Sequence, residues 1–119
     1  METREFGYRK LIAWQRAREL VVLLYQITST FPKTEVYGLA SQIRRAAVSV
    51  VANIAEGWLR RTIADKKRYF EIAQGSLLEL DAEMDIAKEV GYVGESDYAK
   101  FVSVLHAANY LLDKYAKSM

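Results

Sequence analysis

YFEIAQGSLLELDAEMDIAK (69–88) reads as one amphipathic helix. Phe70, Ala73, Leu77, Leu80, Met84 and Ala87 recur at alternating spacings of three and four, which places them on one face of a 3.6-residue helix. The signals at its ends agree. Thr62 stands where an N-cap belongs, with Asp65 three residues on, a weaker form of the capping box that prefers Glu or Gln. Gly91 suits a left-handed C-terminal cap.

Three more stripes flank this one. Upstream, Ala13, Ala17, Leu20, Leu24, Ile27 and Phe31 predict a helix from about Lys10 to Thr30, which Pro32 stops because proline disfavours helical geometry in the residue before it. Leu39, Ile43, Ala46, Val50, Asn53 and Gly57 predict a second helix from Leu39 to Gly57 or Trp58. Downstream, Gly94 to Ser96 opens a helix with Phe101, Leu105, Ala108, Leu112 and Tyr115 on its stripe. Glycine (six) and proline (one) are too scarce for the many turns of a sandwich or barrel. Four helices of about 17 to 25 residues with short connections predict an all-α, antiparallel up-and-down four-helix bundle over residues 10–119. Residues 1–9 carry no stripe and are expected to form a mobile or partner-docked tail.

The 119 residues allow one core, and a composition of 51% hydrophobic and 27% charged residues is that of a globular chain. No cysteine is present, so disulfides and thiolate metal sites are excluded. The N-terminal METREFGYRK does not resemble a signal peptide. The most apolar run, AAVSVVANIA (46–55), is about half of what a membrane span needs. A soluble protein of the reducing cytoplasm, without membrane association, is expected.

Net charge is only +2, but it is unevenly placed. Residues 44–68 hold seven cations against two acids, a net of +5, and residues 71–97 hold eight acids against one lysine, a net of −7. Arg60, Arg61, Lys66, Lys67 and Arg68 gather where the second and third helices join, with Trp58 and Tyr69 nearby to stack on bases. Cations in this arrangement neutralise phosphates without sequence preference. The competing reading is a solvated helix start, slightly mismatched to the helix dipole.

The second helix is unusual. Between Ala46 and Ala55 only Ser49 and Asn53 are polar, so Val48, Val51 and Ala55 turn away from any single core. A helix apolar all round is buried on more than one side, which predicts contact with another subunit; the alternative is that small apolar residues tolerate partial exposure. Asn53 falls on the stripe and requires partners, either a backbone carbonyl or the carboxylate of Glu56. Arg44 and Arg45 are expected to reach acids of a neighbouring subunit, and with Asn53 and Glu56 to form a structural network that fixes register or oligomeric state.

Catalytic chemistry has little material. His106 is the single histidine, and Ser103 stands where a di-iron bundle's Glu-x-x-His motif needs its glutamate. Glu79, Asp81, Glu83 and Asp85 offer carboxylates for acid–base work or a divalent cation. Spread over two faces of one helix, they read first as a solvated side. No phosphate loop, dinucleotide fingerprint or metal-ligand spacing occurs. Neither a cofactor nor enzymatic activity is expected.

IRRAAVSVVANIAEG (43–57), preceded by YGLASQ (37–42), resembles the bacterial four-helix-bundle proteins encoded within 23S ribosomal RNA intervening sequences. The likeness extends through Arg60 and Arg61, GSLLELDAEMDIAKEVGYV (75–93) and KLIAWQRARELVVLLYQIT (10–28). It therefore covers nearly the whole chain. Val51 departs from the family's usual proline, and its presence restores a backbone hydrogen bond and straightens the helix. The resemblance implies a homo-oligomer, with ring-shaped pentamers among the family's structures, and no established enzymatic activity. It also implies kinship with the accessory variability determinant of diversity-generating retroelements, a basic pentameric barrel that binds nucleic acid and a reverse transcriptase. A nucleic-acid-binding scaffold, accessory to a nucleic-acid enzyme, is thus one expectation; a scaffold for protein partners alone is the other.

Overall fold

Thr62 starts the longest helix as its sequence predicts: the side-chain oxygen accepts the N–H of Asp65 at 3.1 Å. In the computed structural model, which describes residues 7–119, four α-helices follow one another. They are α1 (Ile12–Thr28), α2 (Leu39–Leu59), α3 (Ile63–Glu89) and α4 (Glu95–Lys117). Single 3-10 turns precede α1 (Gly7–Lys10) and lie between α1 and α2 (Lys33–Glu35). Each helix packs on its two neighbours, with α1 diagonal to α3 and α2 diagonal to α4, so the bundle is antiparallel and up-and-down.

The stripes of α1 and α3 are buried at every expected position, and so are the first four of α4. Gly91 ends α3 with a φ of +87°, the left-handed conformation open to glycine, and the N–H of Tyr92 reaches back to the carbonyl of Ala87 at 2.9 Å. α2 differs from its predicted stripe. Ala40, Ile43, Ala46, Ala47, Val50, Ile54 and Gly57 are buried, whereas Leu39 and Asn53 are only half-buried. Because α2 packs on α1 and α3 together, its buried arc widens and takes in Ala47 and Ile54. The side turned outward carries Val48, Ala52 and Leu59, all exposed, and half-buried Ala55.

Two side-chain clusters join the helices. Asn53 Nδ2 donates to the carbonyl of Ser49 at 2.8 Å and to its hydroxyl at 3.0 Å, and the Ser76 hydroxyl donates to the same Ser49 oxygen at 2.9 Å. Asn53 thus finds the backbone partner, not the Glu56 carboxylate, and its network spans α2 and α3. At one end of the bundle, Glu35 accepts the N–H of Leu39 at 2.9 Å, capping α2, and the Tyr92 hydroxyl at 2.9 Å. These two bonds favour the charged form and hold the Glu35 carboxyl below its ordinary range. The loop before α2 is thereby clipped to the loop before α4.

Residues 7–9, read from the sequence as part of a tail, pack on the bundle: Gly7 lies against Trp58, and Tyr8 meets Trp14 edge-on at 5.0 Å. The remainder of the expected tail, 1–6, lies outside the described residues.

Gly57 marks the closest approach of α2 to α3. A Cβ there would come within 2.6 Å of the Phe70 ring, and both residues are fully enclosed. Gly57→Ala is therefore expected to lose about 1–3 kcal/mol of stability by overpacking. Urea denaturation checks this. In a Phe70→Leu background the added methyl has room, so the cost of the alanine should shrink, giving a non-additive double-mutant cycle.

Candidate nucleic-acid interface

α2 ends because Arg60 leaves helical geometry (φ −68°, ψ 152°), and only Arg60, Arg61 and Thr62 separate it from α3. Five cations on and just after this corner then serve different purposes. Arg60 folds back on α2: Nε donates to the carbonyl of Glu56 at 3.1 Å, and the guanidinium lies 3.4 Å from the Glu56 carboxylate. It also lies over the Tyr69 ring, 5.0 Å from the centroid, and Arg68 lies over the same ring at 4.9 Å. Lys66, read as part of the start of α3, in fact closes α2. Its Nζ donates to the carbonyl of Trp58 at 2.7 Å and reaches that of Gly57 at 3.5 Å, a favourable place for a cation at a helix C-terminus. Arg61 and Lys67 are exposed and make no ion pair or hydrogen bond among the described residues.

The aromatic residues differ from expectation. Trp58 stacks on Tyr115 at 6.5 Å, with Gly7 and the Lys66 ammonium against it. Tyr69 carries two guanidiniums. Much of the ring surface expected to receive bases is taken up within the chain.

Folding adds cations that sequence position concealed. The turn Gly7–Lys10 and the end of α4 lie at the same end of the bundle as the α2–α3 corner, since Gly7 touches Trp58 and Tyr115 touches both Trp58 and Phe70. Arg9, Lys10, Lys114 and Lys117 therefore join the five. Residues 7–10, 56–71 and 113–119 together hold nine cations against Glu56, Asp65, Glu71 and Asp113, a net of +5. Two of those acids are already paired, Glu56 with Arg60 and Asp113 with Lys117 at 2.9 Å. Only the sparse basic residues near each terminus hinted at this in the sequence.

The second set of expected residues divides. Arg44 is engaged within its own chain: Nε donates to the Thr28 hydroxyl at 2.8 Å, Nη2 to the carbonyl of Tyr25 at 3.3 Å, and the guanidinium sits 4.6 Å from the Tyr25 centroid. It fastens α2 to the end of α1. Arg45 is exposed and unpaired among the described residues. Val48 is exposed, whereas Val51 and Ala55 are half-buried, Val51 packing on the core. Glu56 serves Arg60 and not Asn53. α2 runs unbroken through Val51. Ala52 and Leu59, passed over in the sequence, complete an outward apolar stripe with Val48 and Ala55 at spacings of four, three and four.

Of the acids on α3, Glu83 stands apart. One of its carboxylate oxygens is shielded from solvent without a hydrogen-bond partner. Burial first, then the charge of Glu79 one turn earlier, and the hydrogen bond that only the protonated acid can give Glu79, push its carboxyl up to about 7. No third acid or histidine joins them to make a metal site among the described residues. His106 is exposed on α4 beside a small hollow shared with Leu78, Asp81 and Asn109.

These features define a class: an all-α bundle with a cationic end and an apolar stripe turned outward from α2. The chain belongs to the family of 23S rRNA-intervening sequence proteins, whose model matches residues 9–114. Among solved structures it is similar to a protein of unknown function of the S23 ribosomal protein family from Bacteroides thetaiotaomicron. The TM-score is 0.82 at 20% identity, over 89% of this chain and 96% of that one, a likeness of fold. No curated protein matches. Among the described residues no helix is long and apolar enough to cross a membrane.

The Glu83 carboxyl carries a pH prediction. Its folded-state pKa lies above the ordinary 4.5, so the fold keeps a proton that the unfolded chain releases, and stability falls as pH rises from about 4.5 to about 7. Glu83→Gln should remove that slope and stabilise the protein above pH 7. The group is half exposed and screened by solvent, so the gain should be only ~1 kcal/mol. Thermal unfolding of both proteins at pH 5 and pH 8 checks this: the two should differ at pH 8 and converge at pH 5.

Proposed function

We propose that this protein is a non-catalytic, homo-oligomeric scaffold of the cytoplasm that binds RNA or DNA through its cationic end. The observation that carries the reading is the convergence of nine cations from three separate stretches of chain, with Lys10, Arg61 and Lys67 exposed and free of acidic partners among the described residues. The rigid helix ends hold these cations close together, so a phosphate backbone meets positive charge that the fold has already gathered. Arg61 and Lys67 contact the nucleic acid, Arg60 and Arg68 add charge above Tyr69, and Lys66 chiefly closes α2. Self-association uses the outward stripe of Val48, Ala52, Ala55 and Leu59, and repeating the chain repeats the cationic end, so that weak phosphate contacts add up.

Fluorescence anisotropy of a labelled, structured RNA tests the first part. Affinity should fall steeply between low and physiological salt, and Arg61→Ala/Lys67→Ala should weaken binding about tenfold and flatten the salt dependence. No binding at low salt would discard nucleic acid and leave a scaffold for protein partners. Light scattering tests the second part: the wild-type mass should exceed that of one chain, and Ala52→Glu, which puts a charge on the stripe, should reduce it to the 13.6 kDa monomer without loss of helicity.

A further inference from the structure

At the end of the bundle opposite the cationic one, the corner between α1 and α2 borders a hollow of about 450 Å³ that is open to solvent. Phe31, Pro32, Val36 and Ala40 supply apolar walls, and Lys33 and Arg44 supply positive charge. The Arg44 guanidinium is fixed by uncharged groups alone, the Thr28 hydroxyl, the Tyr25 carbonyl and the Tyr25 ring. Neither Arg44 nor Lys33 has a carboxylate partner among the described residues. The C-terminal dipole of α1 offsets only about half of one charge. A half-buried guanidinium, preoriented and without an anion, therefore faces a hollow lined by four apolar residues, by Lys33, and by Thr28 and Ser29, whose hydroxyls already donate to carbonyls of α1.

We propose that this hollow is a binding site for a small monocarboxylate with an apolar body of about six to ten carbons, which falls within the size range of small-ligand pockets. The planar guanidinium matches a carboxylate, with N–H groups left over from its bonds to Thr28 and Tyr25. The apolar walls select against small inorganic anions, which keep their hydration better in water and have no surface to bury here. A hollow open to solvent with one fixed cation corresponds to roughly millimolar to tenth-millimolar affinity. The site is separate from the cationic end and does not depend on the function proposed above.

Octanoate is the probe, titrated into the full chain by two-dimensional amide and arginine-side-chain NMR, with 1-octanol and octylammonium in parallel. The expected result is saturable shifts confined to residues 28–44 and to the Arg44 Nε–H with octanoate, at least tenfold weaker with octanol and absent with octylammonium. Lys33→Glu, on an exposed turn where the fold tolerates it, should weaken octanoate about tenfold while leaving the spectrum otherwise unchanged. Equal responses to octanoate and octanol would overturn the proposal, because the cations would then play no part. Shifts centred on residues 60–68, or none that saturate, would overturn it as well.

Discussion

The contact of Gly57 with the Phe70 ring sets the spacing on which the bundle rests. Where a glycine faces an aromatic ring, two helix backbones approach more closely than any side chain with a Cβ would allow. The most extensive helix pair, α2 with α3, forms around that approach. Eight residues farther from the corner along α2 and six along α3, the hydroxyls of Ser49 and Ser76 meet at 2.9 Å, and Asn53 locks Ser49 from its own helix. A close-packed pair of this kind tolerates small residues at its seam, which is why Ala46, Ala47, Ala73 and Ser76 are buried there or beside it. α1 and α4 then cover the remaining faces of the pair.

The two ends of the bundle are built differently. At one end, the Glu35 carboxylate joins the start of α2 to Tyr92, and Phe31 packs on the same tyrosine at 5.2 Å, so both long connections are tied down by one acid and two rings. At the other, the corner between α2 and α3 is too short for a loop of its own and is closed by Lys66 on the last carbonyls of α2. Positive charge collects at this second end because the Gly7–Lys10 turn, the end of α4 and the corner meet there. The acids of residues 79–97 lie toward the first. The molecule is therefore an electric dipole along its length.

Much of this was legible in the chain itself. The stripes of α1 and α3, the Thr62 cap and the Gly91 cap depend on neighbours within one or two turns, and local spacing records them directly. α2 was legible only in part. Ile43, Ala46, Val50 and Gly57 are buried as the stripe predicts, but Ala40 and Ile54 take the places of Leu39 and Asn53 and Ala47 joins them, because burial against two partners depends on where α1 and α3 lie, which no local period encodes. For the same reason Asn53, read as sitting on the core stripe, is half-buried at the α2–α3 seam. Arg44 and Lys66 show the matching limit for charges: Arg44, expected to reach acids of a neighbouring subunit, and Lys66, expected to reach solvent, are both spent on carbonyls or hydroxyls brought to them by the fold.

The sequence by itself determined four amphipathic helices, their order and caps, the family to which the chain belongs, and the uneven charge along its length. These are properties of spacing and composition, set by the period of the helix and the chemistry of single residues. Only the tertiary structure decided which cations share an end, which of them remain free, and which side of α2 is turned outward. Arg9 and Lys10 lie more than a hundred residues from Lys114 and Lys117, and each pair lies fifty or more from Arg60; they join one surface only because the antiparallel packing returns the Gly7–Lys10 turn and the end of α4 to the α2–α3 corner.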